Sequence, residues 1–314
     1  MKEEFSLFLT GAAMGAANVL PGVSGGTVAF ITGIYERLIL ALKSLDREAV
    51  GLFFRGRFGE FARKVDLKFI AWLGTGIVVS ILTLASVLKF LFANHAVFVW
   101  AFFFGLILAS IFFVGRKVKR WSVGPVVGFL IGAGIAVGVA LVKPGSENDS
   151  TWYLVLCGVI SMASMIIPGL SGSFVLLLLG NYQLIMIDSV SGLKTLDPKA
   201  FSTLVPVGIG AVLGLLVLSR LLAWVFQKYH DLAVALLTGF VAGSLLVIWP
   251  WKKEVIATFE AGEGTKEKVI GYEWFLPSSS GETWLAIGIM VLGFIAVWLM
   301  ERGSADARTE SGQS

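Results

Sequence analysis

Histidine and cysteine are nearly missing from this 314-residue sequence: His95, His230 and Cys157 are the full supply. A single cysteine excludes an intrachain disulfide, and Cys157 sits in an apolar run, which marks it as a packing residue. There is no Cys/His cluster, no H-E-x-x-H pair and no P-loop, so no metal, no cofactor and no ATP-driven step is expected of this chain. Charge is scarce as well. Asp, Glu, Lys and Arg make up 15% of the residues, and the net charge of +4 is too mild to imply a nucleic-acid partner. The start, "MKEEFSLFLTGAAMG", lacks a separate apolar segment followed by a small-residue cleavage site, so it reads as mature sequence rather than a signal peptide.

What fills the space is apolar. Hydrophobic residues reach 56% and the mean hydropathy is +0.85, which places the chain among all-α polytopic membrane proteins. Long runs cover 67–92, 96–115, 122–142, 202–227, 231–250 and 282–300, each near the ~20 residues that cross a hydrocarbon core. Period-2 alternation is weak, which favours helices over a β-barrel. Two further runs, 5–42 and 152–187, are interrupted by "VLPGVSGGTV" (19–28) and "IIPGLSGSFV" (166–175).

The two interruptions belong to a repeat. At an offset of 147, residues 11–38 align with 158–185, with identities that include Pro21/Pro168, Gly22/Gly169, Ser24/Ser171, Gly25/Gly172, Gly33/Gly180 and Tyr35/Tyr182. Downstream the offset becomes 134, as in Gly76/Gly210 and Gly105/Gly239, because a polar connector changes length. Each half is then one broken hairpin followed by three spans: 1–150, with hairpin 5–42, and 151–302, with hairpin 152–187. The segment 251–281 reads as a polar external loop, and 303–314 as a disordered tail.

Three spans per half is an odd number, so the halves are expected to enter the membrane from opposite sides as inverted repeats. Lys and Arg support this: fifteen fall on the face that carries Lys2, 43–68, "GRKVKRW", Lys228, Arg302 and Arg308, against seven on the other. The basic face is expected to be cytoplasmic, with both termini inside and the protein in the cytoplasmic (inner) membrane. A first arm of 16 residues is about 24 Å of helix, short of a crossing, so each hairpin is expected to be re-entrant. Glycines at 124/128/132, 210/214 and 239/243 are spaced for close helix packing and need no further role.

Backbone freed by Pro and Gly cannot face lipid; it must be buried in protein or line a wet cavity. A Pro-Gly break also leaves unpaired N–H groups at the start of the next helix. With Ser24, Thr27, Ser171 and Ser173 added, each tip becomes a candidate anion cradle: Pro21, Gly22, Ser24, Gly25, Gly26 and Thr27 in one, Pro168, Gly169, Ser171, Gly172 and Ser173 in the other. Inverted halves bring such tips together near the midplane, where transporters of this construction bind substrate. Charges within apolar runs are few: Glu36, Arg37, Lys89 and Arg220. Arg37 or Arg220 could hold a phosphate with a bidentate guanidinium, or snorkel to the interface. Glu36 is a candidate for coupling or gating, and Lys89, close to the external interface, is the weakest of the four.

The segments "GAAMGAANVLPGVSGGTVAFITGIYERLI" and "SMASMIIPGLSGSFVLLLLGNYQLI" resemble the signature segments of the bacterial and archaeal polyprenyl-phosphate translocases, a family that includes the PopT-type undecaprenyl phosphate carriers. The resemblance spans nearly the whole chain. It implies two inverted repeats with re-entrant hairpins, and flipping of undecaprenyl phosphate to the inner leaflet for reuse in cell-wall synthesis. It also implies a polyprenyl phosphate lipid as partner. Glu36 follows Tyr35 but Gln183 follows Tyr182, so a symmetric acidic pair is absent.

Two other classes fit parts of the pattern. One is a carrier or channel for a small soluble anion. The other is an intramembrane serine hydrolase, since "GVSGG" matches G-x-S-x-G and both tips match G-x-S-G. A hydrolase needs a histidine base beside its serine, and both histidines fall in short connectors far from the tips. The expectation is a transporter and not an enzyme.

Overall fold

A computed structural model gives the fold, with residues 2–19, 24–142, 145–189, 196–261 and 264–310 described. The chain is mostly helical. Its helices are α1 (Lys2–Val19), α2 (Gly25–Ile31), α3 (Tyr35–Lys43), α4 (Arg47–Phe54), α5 (Phe58–Lys64), α6 (Leu67–Gly115), α7 (Val123–Leu141), α8 (Thr151–Ile166), α9 (Gly172–Leu178), a π-helical turn (Gln183–Ser189), α10 (Pro198–Lys228), α11 (His230–Ser244) and α12 (Gly281–Glu310). Among the described residues, four stretches are long and apolar enough to cross a membrane unbroken: Asn94–Gly115, Val123–Leu141, Pro198–Lys228 and Gly281–Leu299. Two bent pairs raise the number to six if each is one span. This is a helical, polytopic membrane protein.

Several elements differ from the sequence expectation. The runs 67–92 and 96–115 form one helix that breaks at His95, whose φ of −141° and ψ of 39° are not helical. The run 231–250 gives helix only to Ser244, about 22 Å at 1.5 Å per residue, because the chain then turns toward Pro250. The expected polar loop 251–281 holds an antiparallel ribbon, β1 (Lys252–Ala261) paired with β2 (Gly264–Trp274). Its charged residues masked a strand composition: Val255, Ile256, Thr258 and Phe259 in the sequence of β1, and Val269, Ile270, Tyr272 and Trp274 in that of β2. Helix α12 runs on to Glu310, eight residues into the expected disordered tail. The second arm of the first hairpin is bent by 120° between α2 and α3, at Gly33 with φ +76°. Gly180, its repeat partner, has φ +77° and ends α9 in the same way. Both glycines take a backbone region that costs a residue with a Cβ strain.

Close helix approach follows the repeat. A Cβ on Gly11 of α1 would stand 2.1 Å from the Leu73 carbonyl oxygen of α6, and one on Gly158 of α8 would stand 2.1 Å from that of Val207 of α10. The later helices pair between the two halves of the sequence. Gly132 of α7 lies against the Leu236 carbonyl of α11, and Gly293 of α12 lies against the Phe102 carbonyl of α6, with would-be Cβ distances of 2.1 and 2.2 Å. Small residues at these crossings let the backbones touch, which is how helices associate where lipid removes the hydrophobic drive. The base of the second hairpin is closed by the fully buried Asn181, which accepts from the Asn148 backbone N–H at 2.9 Å and donates to its carbonyl at 2.7 Å.

Candidate functional site: two hairpin tips in contact

Helix α8 ends at Ile166, because Pro168 cannot continue it, and leaves carbonyl groups without intrahelical partners. The first hairpin supplies donors for them. The Ser24 hydroxyl donates to the Met165 carbonyl at 3.2 Å, and the Tyr35 hydroxyl donates to that of Ile166 at 3.0 Å. In return the Gly169 N–H donates to Thr27 Oγ1 at 2.8 Å. Ser24 also caps α2, accepting from the Gly26 N–H at 3.1 Å. A Cβ on Gly26 would sit 2.9 Å from the Ile166 carbonyl oxygen, so glycine is required for the contact. Ser24, Thr27, Pro168 and Gly169 are all buried. The two tips therefore lock onto one another through hydroxyl-to-backbone bonds.

The second tip is wired differently. Ser171 has the same extended backbone as Ser24, but its side chain caps nothing. Its hydroxyl oxygen lies 2.9 Å from that of Ser173 instead. Gly172 is held by its own hairpin: a Cβ there would stand 2.5 Å from Met165 Cγ and 2.6 Å from the Ser161 carbonyl oxygen. Tight closure of the hairpin arms thus requires glycine at this position of the second candidate cradle. Gly169, with φ +87°, presses on the Phe240 carbonyl of α11, where a Cβ would come to 2.6 Å.

The remaining candidates sit elsewhere. Pro21 and Gly22 lie outside the described residues, and so does the side chain of Lys89. Gly25 is buried at the start of α2. Arg37 is tied to Glu3 at 2.9 Å and to Asp66 at 2.7 Å, and its guanidinium lies over the Phe69 ring at 4.5 Å, which is an anchoring arrangement at the end of the bundle. Arg220 is exposed on α10 and is not brought to the tips by any contact among the described residues. Glu36 is exposed and lines a small cavity beyond the α2–α3 bend. Neither tip serine touches an imidazole, since Ser24 bonds backbone and Ser171 bonds Ser173. Tyr35 and Asn181 were missed as structural keys. Tyr35 had shown only as a repeat identity with Tyr182, and Asn181, one residue earlier, carried no signal of its own.

Cavities flank the tips along α11. Near its end, a cavity of about 580 Å³ is lined by Phe104, Ala242, Leu245, Trp249, Trp274 and Phe275. Near its start, a cavity of about 70 Å³ includes His230 and Val234. Phe240, which meets Gly169, lies between them.

The described contact between the two halves, Ser24 and Thr27 against Met165 and Gly169, lies within a helical, polytopic membrane protein. The sequence model of the undecaprenyl phosphate translocase-like family matches residues 14–266, and the chain belongs to that family. It is similar to a polyprenyl-phosphate transporter of Vibrio cholerae, 34% identical over 299 residues that cover 94% of each chain. It is also similar to a polyprenyl-phosphate transporter of Staphylococcus aureus, 26% identical over 254 residues, or 77% of this chain and 85% of that one. No solved structure matches the chain.

Proposed function

We propose that this protein flips undecaprenyl phosphate, or a close polyprenyl phosphate, from the outer to the inner leaflet of the cytoplasmic membrane, returning the lipid carrier for cell-envelope synthesis. The relatives' names support a lipid-phosphate transporter. The observation that carries the mechanism is the docking of the two tips, with Thr27 on Gly169 and Ser24 on Met165. In this reading the phosphate sits against the second tip, where the Ser171 and Ser173 hydroxyls are not spent on backbone. Donors fixed in place before the anion arrives offset the cost of taking charge through hydrocarbon. The polyprenyl tail stays in lipid, and the apolar cavity at the far end of α11 offers its first units a wall of aromatic rings.

The chain then divides into inverted repeats, 1–150 and 151–302, with re-entrant hairpins and both termini in the cytoplasm. Contacts among residues assigned to the basic face support the division. Lys68 pairs with Glu4 at 2.6 Å, Arg37 with Asp66, and the Arg120 N–H donates to Asp231 at 3.2 Å. The test is purified protein in liposomes that carry labelled undecaprenyl phosphate, following which leaflet exposes the phosphate. Protein-dependent exchange between leaflets, unaffected by soluble phosphate esters, is expected. A soluble anion that crosses equally fast would replace this reading with an anion carrier.

A further inference from the structure

We propose that the small cavity beyond the α2–α3 bend is a second phosphate site, built on Lys117 and His230, in which the phosphomonoester head pauses after leaving the tips. Glu36, on the same wall, is the carboxylate that competes with the phosphate for the lysine. This rests on the reading of the tips as a polyprenyl-phosphate site.

The cavity measures about 70 Å³, room for a phosphate head and little more, and Phe30, Tyr35, Glu36, Lys117, Phe226 and His230 form most of its wall. Its wall is tied to the tips by Tyr35 and by α2. Tyr35 reaches from the wall to the Ile166 carbonyl of the second hairpin, and α2 joins the cavity to Ser24 across seven residues. An anion released from the tips toward the basic face meets this cavity within about 10 Å.

The chemistry of the wall fits a phosphomonoester. Lys117 is half-buried, and its ammonium lies against Gly33, 3.4 Å from where a Cβ would stand. Gly33 thus turns the chain by 120° at φ +76° beside the lysine ammonium. No carboxylate among the described residues forms an ion pair with Lys117, although Glu36 shares the wall. His230 adds an imidazole N–H; its Nδ1 lies 3.6 Å from Asp231, and its ring packs on Phe226. A cation and a second donor around a phosphate-sized space, with one carboxylate at the rim, describe an anion site with a built-in competitor. Phosphate and Glu36 contend for Lys117, so binding is strong enough to draw the head off the tips and weak enough to let it go.

The site is tested with full-length protein in lipid nanodiscs and in proteoliposomes. Inorganic phosphate binding is measured for wild type, Lys117→Gln, Lys117→Arg and Glu36→Gln, and undecaprenyl phosphate is then added as competitor. Lys117→Gln is expected to weaken phosphate binding about ten-fold or more, since a hydrogen-bonded charge is lost, and to slow leaflet exchange by a similar factor. Lys117→Arg restores most of both. Glu36→Gln is expected to shift binding the other way, with tighter phosphate and slower multiple-turnover exchange, which a merely structural role would not produce. Phosphate binding unchanged by Lys117→Gln overturns the site. Phosphate binding that depends on Lys117 but resists competition by the lipid overturns its role as a stop for the lipid head. In that last case leaflet exchange by wild type decides separately whether the tips carry lipid at all.

Discussion

Thr27→Val removes one oxygen from the junction of the tips and almost nothing else. The side chain is 1% exposed, and valine matches threonine in shape, so packing is kept while the acceptor for the Gly169 N–H disappears. That N–H is then buried without a partner, a loss of about 1–3 kcal/mol. At about 1.4 kcal/mol per factor of ten, the docked arrangement weakens about 5- to 150-fold relative to an undocked one. If substrate binds only to docked tips, apparent affinity falls by the share of molecules no longer docked. The assay pairs the melting temperature in detergent with leaflet exchange of undecaprenyl phosphate in liposomes. Thr27→Val is expected to lower both, and Thr27→Ser, which keeps the hydroxyl, to lie close to wild type. A Thr27→Val protein that melts and transports as wild type does would refute the claim that the Thr27–Gly169 bond holds the tips together.

Other outcomes follow from the same geometry. Gly158→Ala puts a methyl 2.1 Å from the Val207 carbonyl oxygen, so overpacking of about 1–3 kcal/mol should lower the melting temperature, and Gly124→Ala, with open space around it, should not. Cysteines at Ser44 and Ser304 should be shielded from impermeant thiol reagents in intact cells while those at Ser146 and Ser278 react; labelling of Ser44 and Ser146 from the same side would break the inverted-repeat reading. The carboxyl of Asp46 is held below its ordinary range by the Ala49 N–H at 2.9 Å and by Lys64 at 3.0 Å. Its contribution is therefore present above the unfolded carboxylate range and lost as pH falls through the depressed value. Asp46→Ala should speed amide exchange in Arg47–Phe54, as loss of a cap worth about 1 kcal/mol would, and the difference from wild type should shrink on acidification.

The repeat was legible because glycine and proline spacing survives in a single sequence: Gly33 and Gly180 aligned before either was known to turn the chain. What the spacing did not carry was the partner of each group. Ser24 and Met165 are 141 residues apart, and no periodicity joins them. Arg37 read equally well as a phosphate ligand or an interfacial anchor until Glu3 and Asp66 were placed beside it. The ribbon at 252–274 was hidden because its lysines and glutamates read as a solvated loop, while pairing in register depends on backbone and on alternate β-branched and aromatic positions. Lys117 escaped notice for a similar reason. In "GRKVKRW" it is one of four basic residues, and only the fold turns it toward a cavity below the tips.

The phosphate contact itself is tested most directly by equilibrium binding of undecaprenyl phosphate to the Ser171→Ala/Ser173→Ala double variant in nanodiscs. These hydroxyls lie 2.9 Å apart, and neither is shown bonded to backbone, so their removal should leave the fold and melting temperature in place. Each bond to a charged phosphate contributes about 1.5–3 kcal/mol. Affinity for the lipid should fall by about ten-fold or more, with leaflet exchange falling in step. Unchanged affinity and exchange in a folded double variant would contradict a phosphate held at the second tip.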